Sequence, residues 1–235
     1  MLALPQRGFL LQGNGYMKVY IDGENFRKGI TRVLEEAGLI KNSRDLEDYR
    51  LRELLQDVLA SNETGISYYA SKIKLPNGYK PSDEVMTHVT RIREYSRKWI
   101  PNLEKQDIDY VKAGYLKVRS SKACRECGGK QDVLQEKGVD VRLATDMLED
   151  AYQKTTDIAV LFSSDTDLCP AIHKIQKQGG KVIYLCFADS VNRAVSAVAN
   201  ETVSIPIEKL KIYMITIKSD IKATKNPGQR RKQSR

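Results

Sequence analysis

An α/β fold, a parallel sheet with helices on both faces in three layers, is what this sequence predicts, and two observations predict it. Short apolar runs (YMKVYID, ISYYASKI, DIAVLF, KVIYLCF) are rich in β-branched and aromatic residues and almost free of polar alternation, as strands buried on both faces must be. Between them lie segments of ten or more residues with apolar positions every third or fourth residue, long enough to cross back over a sheet. At 235 residues and 41% hydrophobic content, the chain can bury the core of one sizeable domain.

The elements follow in order. Tyr16 to Asp22 reads as the first strand. The next helix spans about Glu24 to Ala37, with Ile30, Val33 and Leu34 on one face and Gly38 closing it. A helix over Asp45 to Ala60 places Leu51, Leu54, Leu55, Val58 and Leu59 at helical spacing. The strand ISYYASKI follows, and Pro81 and Ser82 then start a long helix through Val85, Val89, Ile92 and Trp99, which Pro101 is expected to end. The run IDYVKAGYLKV is strand-like with a bend at Gly114, and a polar loop containing Cys124 and Cys127 follows, near 120–131. Then come a helix from Asp140 to Gln153, the strand DIAVLF, a helix from Asp167 to Gln178, the Gly179-Gly180 break and the strand KVIYLCF. A short helix over Ser190 to Asn200 and the strand TVSIPI complete the domain, 16–217.

The formal charge of +9 is concentrated in the tail. From Lys218 to Arg235 seven basic residues face only Asp220, so the tail holds +6 and the body +3. A near-neutral body with a basic arm suits a polyanion, or simply a solvated, disordered terminus. No apolar stretch approaches the roughly 18–20 residues a membrane span needs. Residues 1–15 lack the charged start and unbroken apolar core of a signal peptide and read as an extension ahead of the domain, with Met17 able to serve as a start. Four cysteines do not staple a chain of this length, which points to a cytoplasmic protein.

Aspartates mark the places where such a sheet binds ligands. Asp22 ends the first strand, and Asp165 and Asp167 follow DIAVLF. Open parallel sheets bind beyond the carboxyl ends of their strands, so residues far apart in sequence can meet there. Asp140 opens a helix. Singly, each has a simpler role: Asp22 in a turn, Asp140 and Asp167 as helix caps. Together, crowded carboxylates repel by roughly 4 kcal/mol per pair at about 4 Å and an effective dielectric of 20, unless a cation lies between them. Hard oxygen ligands of this kind suit Mg²⁺ or Mn²⁺ beside a substrate phosphate.

Three segments in this order and spacing, YIDGENF, EKGVDVRLATDML and SSDTDLCPAIHKIQKQGGKVIYL, resemble the NYN domain (the LabA-like, DUF88 group), a branch of the PIN-like nuclease superfamily with a Rossmannoid sheet. The resemblance covers about Met17 to Pro206. It implies a metal-dependent ribonuclease whose aspartates hold Mg²⁺ or Mn²⁺ and which cleaves RNA, single-stranded or structured. Carried over by motif, the IDGEN residues are Asp22 and Asn25, the KGVD aspartate is Asp140, and the S-x-D-x-D pair is Asp165 and Asp167. Asp22 and Asp165 become principal metal ligands. Asp140 becomes a ligand through water or the orienter of the attacking water, Asp167 completes the ring, and Asn25 positions a water or phosphate oxygen. Asp146 matches a further acidic position, but six residues on a helix turn it about 120° from Asp140, so it could instead hold a water or a basic side chain. Ser164 and Leu168 stand where the family more often has Gly and Phe.

Cys124-x-x-Cys127 looks like half of a zinc site, completed only if a homodimer supplies a second pair; an idle reduced pair is the alternative. Cys169 and Cys186 read as core thiols, and His88 and His173 as surface or packing residues. No G-x-G-x-x-G or Walker motif supports a nucleotide cofactor. Arg91, Arg93, Arg97, Lys98, Lys112, Lys117, Arg119 and Lys122, interleaved with Tyr68, Tyr69, Tyr95, Tyr110 and Tyr115, offer charge and stacking surfaces for RNA, or a solvated face with half-buried tyrosines. Two other classes compete with the nuclease: a catalytically silent RNA-binding or partner-binding module of the same fold, and a D-x-D DNA nuclease or phosphatase.

Overall fold

The computed structural model describes residues 16–62, 64–73, 82–120 and 132–214. Cys124, Cys127, Lys122 and the basic tail lie outside them. Seven strands form one sheet in the order β4-β3-β2-β1-β5-β6-β7. They are β1 (Met17–Asp22), β2 (Thr64–Ile73), β3 (Asp109–Ser120), β4 (Asp132–Lys137), β5 (Ile158–Phe162), β6 (Lys181–Phe187) and β7 (Glu201–Ile205). All neighbours pair in parallel except β3 and β4, which form an antiparallel hairpin at one edge. The chain pairs outward from β1 through β2 and β3, then returns to lay β5 on the other side of β1, so the sheet changes winding direction between β1 and β5.

The helices divide between two faces, giving the expected three layers. Helices α1 (Gly23–Glu36), α2 (Leu51–Leu59), α3 (Asp83–Lys105) and α7 (Ile207–Ile212) cover one face. There Phe26, Ile30 and Leu34 meet Val19 and Ile21 of β1 and Trp99 of α3, all almost fully buried. On the other face, α4 (Val139–Gln153), α5 (Cys169–Lys177) and α6 (Arg193–Val198) pack Leu143, Met147, Ile172 and Val195 against Tyr20, Leu161 and Tyr184. Burying each such side chain contributes about 1.5–3 kcal/mol, and alternate residues of β1 feed both cores. That two-sided burial is why YMKVYID shows almost no polar alternation.

Four expectations need correction. The helix expected over Asp45 to Ala60 is a 3-10 turn, Ser43–Leu46, followed by α2. Tertiary bonds hold the break open: Arg50 N donates to Tyr213 O, the Tyr49 hydroxyl to Leu210 O, and the Gln106 amide to Tyr49 O. Pro101 does not end α3, which continues to Lys105 and buries Leu103 on the same face as Trp99. The apolar stripe outweighs one lost amide bond. The helix expected over Asp167 to Gln178 is split into a 3-10 turn, Thr166–Leu168, and α5. Part of the polar loop is strand β4, with the alternating sequence DVLQEK too polar to signal itself.

The bend at Gly114 is present and has a specific consequence. Gly114 has φ +67°, and the β2–β3 register shifts beside it. A Cβ there would lie 2.2 Å from Lys137 O and 2.9 Å from Val139 N, so only glycine lets β3 touch the start of α4. Gly138, at φ +91°, then turns the chain from β4 into that helix.

Candidate active site at the switch point

Asp22 ends β1 one residue past the Ile21–Phe162 pairing, where the sheet changes winding direction. The residue is 7% exposed. Oδ1 accepts from Asn25 N at 3.0 Å, so Asp22 caps α1, and Oδ2 accepts from the Ser163 hydroxyl at 3.2 Å. The turn role and the cluster role therefore coexist in one residue. Behind it, Phe26 packs against Tyr68, Trp99, Phe162 and Phe187 at ring separations of 5.3–6.5 Å. Such pairs contribute about 0.5–1.5 kcal/mol each beyond area burial, and they hold the first turn of α1 rigidly against the sheet.

Asp165 follows β5. Its N–H donates to the Ser163 hydroxyl at 3.2 Å, and its own Oδ1 accepts from Asp167 N at 2.9 Å. Ser163 thus links Asp22 to the loop carrying Asp165. Asp165, not Asp167, is the cap, leaving the Asp167 side chain exposed. Asp140 is not a cap either. Gly138 occupies that position, and Asp140 sits in the first turn of α4, where the helix dipole favours an anion.

Electrostatics show which of these groups sense one another. Burial pushes the Asp22 carboxyl above its ordinary range, and nearby Asp140 pushes it further, against the lowering effect of the Asn25 and Ser163 bonds. Burial likewise raises Asp140, with Asp165 and Asp167 adding to it. All four aspartates therefore lie within electrostatic reach along the chain Asp22–Asp140–Asp165/Asp167. Among the described residues, no three acidic, histidine or cysteine side chains gather closely enough to grip one ion between them. The donor set still fits Mg²⁺ or Mn²⁺, because such ions commonly take one or two carboxylates and fill the remaining positions with water and phosphate oxygens.

Asn25 and Asp146 do something other than join this ring directly. The Asn25 amide donates to the Ser164 hydroxyl at 2.8 Å, tying α1 to the β5 loop through the residue that replaces the family's glycine. Asp146 receives Arg142 Nε at 2.7 and 3.0 Å and the Tyr69 hydroxyl at 3.1 Å, the basic-partner arrangement its position on the helix allows.

Two participants were missed. Glu136 of β4 is raised by burial and by Asp22, Glu24 and Asp140, although a bond with Ser71 opposes this. Strands β2 and β3 continue past the level of Asp22, which pairs with Tyr69, and β4 adds to that extension. They make a wall beside the site, and no local signal in DVLQEK announces it. Asn192 donates its amide to Ser164 O at 2.8 Å while capping α6, which fixes the far side of the Asp165 loop. An Asn just before a helix was the available clue.

The tyrosines are largely unavailable for stacking: Tyr68, Tyr69 and Tyr95 are buried and Tyr110 half-buried, whereas Tyr115 is 46% exposed. Cys186 is buried and Cys169 half-buried, as core thiols should be, and both histidines are exposed.

A mostly parallel, doubly wound α/β sheet with aspartates at its switch point defines a Rossmannoid class. The NYN domain model matches residues 16–208. The chain belongs to the NYN domain family of the PIN-like superfamily, whose members are generally nucleases and typically use divalent metals. Among curated proteins none matches. A solved protein of unknown function from Vibrio parahaemolyticus is similar at 15% identity and a TM-score of 0.46, over 83% of this chain and 96% of that one. No helix among the described residues is long and apolar enough to cross a membrane.

Proposed function

We propose that the chain is a metal-dependent ribonuclease of the cytoplasm that hydrolyses RNA phosphodiester bonds at the carboxyl edge of β1 and β5. The observation that supports this most is the placement of Asp22, Asp140, Asp165 and Asp167 at one edge of the sheet, where burial first, and then the neighbouring carboxylates, raise Asp22 and Asp140. Asp22 and Asp165 would hold Mg²⁺ or Mn²⁺, with Asp167 completing the ring. When bound, the ion supplies Lewis acidity to a phosphoryl oxygen and lowers the pKa of water. Asp140 would orient the attacking water or bind the ion through a water. Ser163 keeps Asp22 and the Asp165 loop in one geometry, and Asn25, through Ser164, is a positioning residue.

The decisive experiment incubates wild type and Asp165→Asn with labelled RNA and DNA, in Mn²⁺ or EDTA. Wild type should cut RNA only with the metal, and the variant should lose about a hundredfold or more in kcat while staying folded. Preferential cleavage of DNA would move the protein to the competing D-x-D class.

A silent RNA-binding module is the second reading, favoured by the absence of three converging ligands among the described residues. RNA retention without cleavage in Mn²⁺ would establish it. For Cys124 and Cys127 the proposal is a zinc site completed by a second copy of the chain, measured as half a zinc per chain together with a dimer in solution.

A further inference from the structure

Strands β2, β3 and β4 run on past the carboxyl end of β1, and one face of that extension is uncovered. Lys72, Tyr115 and Lys137 pair side by side across the three strands, and Lys117 pairs with Gln135 two residues further along. Side chains alternate along a strand, so these five share a face. All five are exposed, Tyr115 at 46%. The intervening residues Leu116, Leu134 and Glu136 are half-buried, and Glu136 lines a small cavity with Ile92 and Ser96 of α3. The exposed face therefore looks away from α3, to the side of the sheet that α4 covers nearer the amino edge. Helix α4 begins only at Val139, two residues after Lys137, and leaves this face bare.

The charges on this face indicate its partner. None of the five residues is acidic. Lys72, Lys117 and Lys137 make no ion pair among the described residues. Elsewhere basic side chains are held by carboxylates: Lys18 by Asp150, Arg27 by Glu24 and Arg142 by Asp146, each at 2.7 Å. Lysines are common on edge strands, where they block pairing with another chain. That accounts for Lys137 on the edge strand β4, but not for Lys72 and Lys117 on β2 and β3, which have neighbours on both sides. Lys117 Nζ lies 6.0 Å from the centre of the Tyr115 ring. A sheet face that presents an aromatic ring among cations suits unpaired nucleic acid, whose bases stack on the ring while phosphates meet the ammonium groups.

The face is also continuous with the acidic centre. Asp22 pairs with Tyr69, and Lys72 lies three residues further along β2, about 10 Å at 3.3 Å per residue. Directly after Lys137, Gly138 turns the chain into α4, whose first turn carries Asp140. We propose that this face is the platform for an unpaired segment of the RNA substrate on its way to the aspartates. Lys72, Lys117 and Lys137 hold its phosphates, and one base stacks on the Tyr115 ring. The proposal rests on the ribonuclease reading for where the strand leads, and on the face itself for binding.

The test uses the full chain carrying Asp165→Asn, without added divalent ions, to prevent turnover. A fluorescent oligoribonucleotide, single-stranded or annealed to its complement, is titrated at several salt concentrations. Lys72→Gln, Lys117→Gln and Lys137→Gln together should weaken binding of the single strand. They should also flatten the slope of log affinity against log salt by about 2, at roughly 0.7 per phosphate contact. The matched triple Lys174→Gln, Lys177→Gln and Lys181→Gln, at exposed positions on α5 and β6, should leave that slope unchanged. Tyr115→Ala should cost about fivefold or more in affinity, and Tyr115→Phe should restore it, because stacking needs the ring and not the hydroxyl. Equal flattening in the control triple would reduce the effect to net charge and overturn the platform. Full affinity in the Lys72, Lys117 and Lys137 variant would overturn it too, while metal-dependent cleavage by the chain with Asp165 intact would still stand. Binding lost in that variant, from a chain that never cleaves RNA in Mn²⁺, supports the platform and removes the nuclease reading. Tighter binding of the duplex than of the single strand would overturn the assignment to an unpaired segment.

Discussion

Helix α4 carries three aspartates with opposite fates. Asp150, toward the amino edge of the sheet, accepts from Lys18 Nζ at 2.7 Å, the Tyr20 hydroxyl at 2.6 Å and the Thr155 hydroxyl at 3.1 Å. Burial alone would raise it, but these partners hold it below its ordinary range. Asp146, one turn before, is bound by Arg142 and Tyr69. Asp140, at the carboxyl edge, is raised first by burial and then by Asp165 and Asp167, against one backbone hydrogen bond. Acids that stabilise a fold are given partners within it. An acidic cluster left without them is poised for a cation and substrate from outside.

The largest effect expected from this contrast is the loss of turnover in Asp165→Asn. Asp22→Asn comes next, because it should lower activity comparably yet raise stability. A carboxyl with a raised folded-state pKa stabilises the fold fully below its ordinary value of 3.8 and loses that contribution as pH rises through the folded value. At neutral pH without divalent ions, the amide removes a buried charge and still caps α1. We expect a gain on the order of 1 kcal/mol, or about 2–4 °C in Tm, shrinking as the pH falls toward 4. A loss of stability at neutral pH would show that Asp22 is structural. Added Mn²⁺ should raise the Tm of wild type more than that of the variant.

Asp150→Ala should behave in the opposite way, costing about 1–3 kcal/mol by leaving the Tyr20 hydroxyl without its acceptor, while kcat of the folded fraction is unchanged. Its folded-state pKa is lowered, so Asp150 contributes above its ordinary value of 3.8 and loses that contribution as pH falls through the folded value. Chemical denaturation at pH 7 and pH 3 measures both. The smallest effect belongs to Asp146→Asn. Arg142 is largely exposed, so stability should change by about 0.5 kcal/mol or less, and cleavage should persist. A hundredfold loss of activity there would instead make Asp146 a member of the metal site.

The sequence by itself determined every strand but β4 and most helices, because residues buried on both sides of a sheet must be largely apolar and helices packed on it must show a stripe. It also put Asp22 and Asp165 at strand ends and Asp140 at a helix start, while Asn25 entered through the motif resemblance alone. Only the tertiary structure decided their relations. The return of β5 to the free side of β1 brings Asp22 to Ser163, the contact of Gly114 with the Gly138 turn sets where α4 begins, and the Arg142 and Tyr69 partners give Asp146 a role apart. Glu136 and Asn192 enter through long-range pairing, β4 on β3 and α6 against the Asp165 loop. Local sequence specifies which side chains can bear charge, but burial and the partners brought by distant segments decide which of them remain unpaired.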